Sequence, residues 1–149
     1  MALSSVRDAI KETLKGVSGI GVVHDYERWT VDWGRYLSLF KPKGQDVING
    51  WTVSRASSSE VASTSRQYFR THRFIIKGYY SQRDSAGSEK VFQDLIERVC
   101  DALRANRNLN QTADRVEPPQ VDLVETRSLG EVLCHYCQIS LMVEEEISG

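Results

Sequence analysis

The sequence predicts one α+β domain over residues 1–149, built from an antiparallel or mixed β-sheet with two main helices packed on one face. Two segments repeat apolar residues at helical spacing, and several others are rich in β-branched and aromatic residues. A predicted hairpin comes before the second helix and another comes after it, which favours antiparallel pairing of the strands. With 149 residues, of which 40% are hydrophobic, the chain is long enough to bury its own core.

The first half of the chain begins with an amphipathic helix, since Val6, Ile10 and Leu14 recur every fourth residue and form one apolar stripe. The polar, low-complexity stretch 56–65 is interpreted as an exposed hairpin tip, with a flexible loop that orders on a partner as the alternative. In order, the predicted elements are a helix over 4–15, a strand over 20–26, a short helix or irregular loop within 27–42, a strand over 47–55, the hairpin tip and a long strand over 66–80.

The second half contains the strongest helical pattern, over 88–105, followed by a polar connector over 106–119 that ends at two prolines. Two strands follow, over 120–127 and 131–147. The helix is expected to bury Val91, Phe92, Leu95, Ile96, Val99, Ala102 and Leu103. The last strand is expected to place Leu133, His135, Cys137, Ile139, Leu141 and Val143 on one core-facing side.

Charge and composition exclude several broad classes of protein. The net charge is -1, from 19 basic and 20 acidic residues, which gives no overall attraction to nucleic acid or to an anionic membrane. The N-terminal segment lacks the apolar core of a signal peptide, and no apolar run approaches the roughly 20 residues of a membrane span. An odd cysteine count of three favours a reducing compartment, so we expect assembly in the cytoplasm.

The polar residues form no recognisable catalytic motif, so we expect no catalytic residue, no metal site and no cofactor. Cys134 and Cys137 form a C-x-x-C within a predicted strand, where positions i and i+3 point to opposite sides. A shared metal or a relaxed disulfide is therefore disfavoured, and packing is the preferred role. The three histidines are scattered, and His24-Asp25 with Ser65 suggests a triad only by residue type.

Three stretches carry residues that are typical of a contact surface. The segment 26–40 is dense in aromatic residues with arginines, the strand over 66–80 interleaves basic and aromatic residues, and 144–146 is a run of glutamates. The glutamate run is interpreted as a solvated strand edge, or as an acidic rim for a basic partner. The candidate contact residues are Trp29, Trp33, Arg35, Tyr36, Arg70, Arg73, Lys77, Tyr79, Glu144 and Glu145.

The layout and several stretches of the sequence resemble the phage tail-terminator or tail-completion family. The resemblance rests on the short N-terminal helix, H-D-Y-E-R-W at 24–29, I-N-G-W at 48–51, the long Arg- and aromatic-rich strand, the single amphipathic helix and the final hairpin. It implies a structural virion protein that forms a ring, expected to be a hexamer, on the end of the tail tube. Such a ring ends tail polymerisation and joins the tail to the head. The implied partners are copies of the chain itself, the major tail tube protein and the head–tail connector or stopper protein, with no membrane, and nucleic acid at most passing through the ring.

Two alternatives of different classes stay open at this level. One is a nucleic-acid-binding module that uses the basic and aromatic residues of the strand over 66–80, although a sheet surface that pairs with a neighbouring subunit is the preferred interpretation of this strand. The affinity of such a module would fall steeply with salt. Cys134 and Cys137, or the histidines, would serve a small enzyme of unknown class. Stoichiometric zinc, or loss of activity on Cys→Ser substitution at both cysteines, would indicate the enzyme.

Overall fold

The computed structural model describes residues 3–28, 33–45, 47–129 and 132–148. Its elements in chain order are α1 (Leu3–Lys15), β1 (Val22–His24), α2 (Trp33–Ser38), β2 (Asn49–Thr64), β3 (Gln67–Ser81), a 3₁₀ turn (Asp84–Ala86), α3 (Ser88–Ala105), β4 (Arg115–Val116), β5 (Gln120–Leu129) and β6 (Val132–Ser148). Three of the strands, β2, β3 and β6, have 15 to 17 residues, whereas strands of about 5 or 6 residues are usual in globular proteins.

The six strands belong to one sheet. β1 pairs in parallel with β2 through Val22–His24, and the other pairings are antiparallel. The order is β1–β2–β3–β6, and the far side of β6 is shared by β5, opposite residues 132–140, and β4, opposite Val143 and Glu144. β6 therefore has strand partners on both sides, whereas β2 and β5 lie near the two opposite edges of the sheet.

The main core fills the space between α1, α3 and one face of the sheet. Each of these helices contributes one apolar stripe, as an amphipathic helix does when it docks on a sheet. The connector between α3 and β5 folds back over the same core. The fully buried residues of the main core include Ile10, Trp51, Phe74, Phe92, Leu103, Leu109 and Ile139.

A smaller second cluster lies on the opposite face of the sheet, against α2. Its buried members are Leu37, Phe40, Ile48, Tyr79, Leu129, Cys134 and Tyr136. Tyr136 and Cys137 are neighbours on β6, and because successive side chains alternate, Tyr136 belongs to this cluster while Cys137 belongs to the main core. Leu133, predicted on the core side of β6, is exposed instead, because it lies at the hairpin end of β5 and β6.

The predicted fold class, α+β with two main helices on one face of the sheet, is wrong. Strands account for 46% of the residues and helices for 27%, and the sheet curls into a half-barrel. α2 packs on the opposite face from α1 and α3. The error comes from strand length. The outer part of β2 is not recognisable as a strand in the sequence, because its residues are polar. The twist that accumulates along such long strands curls the sheet.

Element boundaries depart from the prediction mainly where the side chains are polar. The stretch 56–65 lies at the exposed end of a hairpin, as predicted, but it is strand and not loop, because β2 continues to Thr64 and the turn is Ser65–Arg66. The connector contains β4, which the sequence does not predict. The helix over 88–105 is confirmed by α3, and the strand over 66–80 is confirmed within one residue by β3.

β2 and β3 extend beyond the core as an arm, defined here as residues 55–72. Residues 55–67 are all exposed. Within the described part of the chain, β1 covers the outer edge of β2 only at Gly50–Thr52, so the edge from 53 to 64 has no strand partner. A bulge after Arg55 changes the register at the base of the arm.

Candidate functional site

The predicted contact residues of the aromatic segment 26–40 that the structure describes belong to α2. Trp29 lies outside the residues that the structure describes, and for Trp33, the first residue of α2, only the backbone is described. Arg35 is exposed on α2, and Tyr36 is half-buried beside the second cluster. Of the two residues whose side chains are described, Tyr36 is the one that the structure brings to other predicted contact residues.

Three tyrosines form a connected group on the α2 face of the sheet. The hydroxyl oxygens of Tyr36 and Tyr79 are 3.5 Å apart, and the ring centroids of Tyr79 and Tyr136 are 5.1 Å apart. Burial of Tyr79, together with its hydrogen bond to Tyr36, raises the pKa of this phenol well above its ordinary value. Tyr79 is therefore a neutral, buried group, whereas the sequence predicts it on a contact surface.

Arg127 of β5 borders the same group, although the sequence gives it no role. Its guanidinium carbon lies 3.9 Å from the centroid of the Tyr136 ring, a cation–π contact. Glu125 accepts a hydrogen bond from Arg127 Nη2 at 2.7 Å, and Gln138 donates to the Tyr136 hydroxyl at 2.7 Å. The register of the β5–β6 hairpin brings these groups together, and their spacing in the sequence does not reveal it.

The two predicted basic residues on this face are already paired with carboxylates. Lys77 Nζ donates to Glu27 Oε1 at 2.5 Å, and Arg73 Nη2 lies 3.5 Å from Asp122 Oδ2 of β5. Burial opposes the charge on Lys77, but the hydrogen bond to Glu27 and its negative charge together outweigh burial, so the pKa of Lys77 is raised. Both side chains are therefore already neutralised by a carboxylate and are not available to bind a phosphate group, which weakens the case for a nucleic-acid-binding strand.

Arg70 lies on the opposite face of β3 from Arg73 and Lys77, as strand alternation predicts. Arg70 Nε donates to Glu60 Oε1 of β2 at 2.6 Å, and Arg70 Nη1 is 3.6 Å from Glu145 Oε1 of β6. An ionic row therefore crosses three strands, with the cation between two carboxylates. The guanidinium of Arg70 therefore pairs with carboxylates of its own chain, whereas the sequence predicts it on a contact surface.

The two predicted acidic contact residues differ in burial. Glu144 is half-buried, and Glu145 is only 1% exposed. The interpretation of 144–146 as a solvated strand edge is therefore wrong for Glu145. β6 is not an edge at this point, because β3 pairs with it on one side and β4 on the other.

His72, one of the three histidines that the enzyme alternative invokes, lies between Ser58 and Glu145. Ser58 Oγ is 2.6 Å from His72 Nδ1, and His72 Nε2 is 3.4 Å from Glu145 Oε1. His72 is 1% exposed, like Glu145. Glu145 Oε2 is buried too, and it has no hydrogen-bond partner among the described residues. Three strands thus bring a hydroxyl, an imidazole and a carboxylate into one row.

A second histidine–serine pair lies at the N-terminus of α3. Ser88 Oγ is 2.8 Å from His135 Nε2, and it accepts a hydrogen bond from the Arg83 backbone N–H at 2.8 Å. An open groove of about 510 Å³ borders the pair, between the start of α3 and Thr126 of β5. Because both side chains of the pair are buried and bonded to each other, their main effect is to hold α3 against β6.

The motifs that the sequence singles out for chemistry have local structural roles. His24 Nε2 lies 2.7 Å from the carbonyl oxygen of Leu39, whereas Ser65 lies in the turn of the arm. Cys134 and Cys137 face opposite sides of β6, as predicted, and belong to different clusters. Burial raises the pKa of Cys134 to about 11 and of Cys137 to about 12, so both thiols are protonated near neutral pH.

Within the residues that the structure describes, no group of three or more His, Cys, Asp or Glu side chains is arranged to hold a metal ion. The helices of that same part of the chain include none that is long and apolar enough to cross a membrane. No protein-family model matches the chain, and a search of curated proteins gives no significant match. What bears on function is therefore the fold and the side-chain geometry.

Proposed function

We propose that this chain is a structural virion protein that caps a phage tail tube as a ring. The ring ends polymerisation of the tube and joins the tail to the head connector, and it is assembled in the host cytoplasm. The observation that carries this proposal is a single curled sheet with two unlike open edges, one on β2 and one on β5. The resemblance to tail-terminator proteins supplies the biological setting.

The outer edge of β2 is suited to pairing with another strand. From 53 to 64 it offers roughly 40 Å of backbone, at about 3.4 Å per residue. Proteins usually protect such an edge with lysine, proline or a covering segment, and 53–64 contains neither lysine nor proline. Most of its side chains are Ser, Ala or Thr, and Val61 is 65% exposed. Such an edge is typical of a strand that another chain extends.

β5 supplies the second edge. Within the described residues it pairs only with β6, and its Val121 and Val124 are 39% and 37% exposed. A ring forms when one surface of a subunit meets an unlike surface of the next and the rotation closes. Continuing the curled sheet from the β2 edge of one subunit onto the β5 edge of the next gives such a head-to-tail contact. The net charge of -1 leaves little repulsion between copies.

The alternative function, a nucleic-acid-binding module on the strand 66–80, lacks comparable support. Arg70, Arg73 and Lys77 each have a carboxylate oxygen within 3.5 Å. Phosphate contacts need basic side chains that are not already neutralised. In the proposed ring, nucleic acid passes through the lumen without being held by these three residues.

Two measurements test the assembly. Static light scattering gives the mass in solution, where a hexamer of 16.9 kDa subunits is expected, and negative-stain electron microscopy should reveal rings. Because ring closure can require the tube, the protein is also added to the polymerising major tail tube protein. The tubes should stop growing and carry the chain at one end. A chain that stays monomeric and neither binds the tubes nor limits their length contradicts the proposal.

A matched pair of variants locates the contact between subunits. Val61→Lys adds a charge inside the open edge, where it should prevent ring formation. Ser65→Lys adds the same charge at the hairpin turn, outside the edge, where rings should persist. Both positions are exposed, so each variant should keep its free energy of unfolding within about 0.5 kcal/mol of the parent. Equal ring formation by both variants argues against the β2 edge as the contact.

A further inference from the structure

Ser58, His72 and Glu145 lie in a row across three adjacent strands. Ser58 and His72 are directly opposite in the β2–β3 register, and Glu145 lies on β6 two residues beyond Val143, the partner of His72. Ser58 Oγ is 2.6 Å from His72 Nδ1, which is at the short end of hydrogen-bond distances. His72 Nε2 lies 3.4 Å from Glu145 Oε1, a longer contact.

The carboxylate determines which nitrogen of His72 carries the proton. An ionised Glu145 can only accept, so its hydrogen bond to His72 requires the proton on Nε2. Nδ1 of the neutral ring then has a free lone pair, and the Ser58 hydroxyl donates to it. This order of groups, a hydroxyl, a base and a group that orients the base, is the arrangement that activates a nucleophilic serine.

A β-bulge places Ser58 on the same face of the sheet as His72. In the β2–β3 register an extra residue, Ala56, lies between Arg55 and Ser57. Without it, every later side chain of β2 would change sides, and Ser58 would point away from His72. Bulges are frequent beside functional sites because they redirect a side chain in this way.

Ser58 is exposed, whereas His72 and Glu145 are each 1% exposed. The serine hydroxyl is therefore the member of the row that an incoming molecule can reach. Glu145 keeps one buried oxygen, Oε2, without a hydrogen-bond partner among the described residues.

Arg55 brings a positive charge next to the hydroxyl. Its Nη1 donates to Ser58 Oγ at 3.4 Å, and its side chain belongs to the exposed part of the arm. A guanidinium in this position can stabilise negative charge that develops on a substrate oxygen beside Ser58. Arg70 cannot take this role, because it is bound to Glu60 at 2.6 Å.

We propose that Ser58 is a nucleophilic serine that accepts an acyl group from an activated ester. Its oxygen forms a bond to the carbonyl carbon, its proton passes to His72 Nδ1, and the alcohol of the ester leaves with that proton. Water then releases the acyl group as a carboxylic acid, again with His72 as the base. Glu145 positions His72 and stabilises the imidazolium that forms. This activity does not depend on ring formation, and small, unhindered esters are the expected class because Ser58 lies on an open strand.

The two neighbouring serines provide an internal control. Ser57 and Ser59 are exposed on the same strand, but alternation places them on the other face, away from His72. The intact protein is treated with a fluorophosphonate, which labels activated serines irreversibly, and each site is quantified by peptide mass spectrometry. We expect Ser58 to be labelled about 100-fold faster than its neighbours, the size of an ordinary general-base contribution. Equal rates at the three serines overturn the proposal.

Substitutions separate an activated serine from a structural one. Ser58→Ala should remove the initial burst of p-nitrophenolate from p-nitrophenyl acetate, and Ser59→Ala should leave that burst unchanged. His72→Asn keeps a hydrogen-bonding side chain but removes the base, so labelling of Ser58 should fall to the rate of Ser57. Unchanged labelling in a folded His72→Asn chain, checked by circular dichroism, overturns the proposal. If that variant does not fold, the labelling rate of Ser58 relative to Ser57 and Ser59 in the parent protein still tests the proposal.

Glu145→Gln tests the positioning role with a side chain of nearly the same size. It replaces the carboxylate that accepts from His72 Nε2 by a neutral amide. Labelling of Ser58 should then slow relative to that of Ser57 and Ser59 while the circular dichroism spectrum stays that of the parent. An unchanged ratio of labelling rates in the folded variant overturns the role assigned to Glu145.

Discussion

The indole ring of Trp51 occupies the space above Gly78, its direct partner on β3. A Cβ at position 78 would lie 2.5 Å from Trp51 Cζ3 and 2.7 Å from Cη2, closer than real Cβ atoms approach. Trp51 is fully buried, and its ring centroid lies 6.0 Å from that of Phe92 on α3. The missing side chain at Gly78 is therefore what allows the largest residue of the core to lie against the sheet.

Gly78→Ala should lower the free energy of unfolding by about 1–3 kcal/mol, because an added methyl group forces Trp51 to move in a packed core. Gly16→Ala is the matched control, since a Cβ there would lie 3.6 Å from the nearest atom, an ordinary contact. Its effect should stay within about 0.5 kcal/mol. Urea unfolding followed by tryptophan fluorescence measures both changes. Equal effects would contradict this account of the core.

The helices and the buried parts of the strands can be predicted from the sequence, because their apolar residues recur at the spacing of the structure that they form. α3 begins and ends where the periodicity predicts, at Ser88 and Ala105. The outer half of β2 cannot be predicted in this way, since Ser, Ala and Glu have little preference for strands and the pairing with β3 keeps it extended. The predicted fold class is wrong for the same reason, because it treats strand residues as a loop.

The hydroxyl of Ser88 should contribute measurably to stability. It accepts a hydrogen bond from the Arg83 N–H and bonds His135, and Ser88→Ala removes both interactions. We expect a loss of about 1–3 kcal/mol in the free energy of unfolding. Gln93→Ala removes an exposed hydrogen bond to Glu89 on the same helix and should change it by less than about 0.5 kcal/mol. If the two variants unfold at the same urea concentration, the buried hydroxyl does not anchor α3.

The carboxylates beside Arg73 and Lys77 should keep β3 from binding nucleic acid. We expect no change in the fluorescence anisotropy of labelled single-stranded or duplex DNA at roughly 50 mM salt. Glu27→Gln combined with Asp122→Asn frees both cations and changes the net charge from -1 to +1, so weak, salt-dependent binding should emerge. Tight binding by the unmodified chain that falls steeply with salt would contradict the prediction.

The polar contacts of the arm cannot be predicted from the sequence, because they depend on register. Pairing outward from the turn at Ser65–Arg66 would place Ser59 opposite His72. A bulge close to the turn shifts the pairing by one residue, so that Ser58 takes this position. A single extra residue has no recognisable pattern in a stretch of serines and alanines. The opposite orientation of Cys134 and Cys137 can be predicted, because it needs only the alternation along β6.

The three buried thiols should make the fold less stable at high pH. Burial raises the pKa of Cys100 and Cys134 to about 11 and the pKa of Cys137 to about 12, from an ordinary value of 9.0. The folded chain therefore keeps thiol protons at a pH where the unfolded chain has lost them. The stability that depends on these protons is fully present below pH 9.0 and is lost as the pH rises toward 11 and 12.

The loss should approach about 1.4 kcal/mol per pH unit for each thiol that is protonated in the folded chain and ionised in the unfolded chain. Urea unfolding under reducing conditions at roughly pH 8 and roughly pH 10.5 measures it. The control is the triple variant Cys100→Ala, Cys134→Ala and Cys137→Ala, in which tyrosines and lysines titrate as before. The free energy of unfolding should fall further with pH in the parent than in the triple variant. An equal fall in both chains would assign the effect to other groups, foremost the buried phenol of Tyr79, whose pKa is also raised by burial.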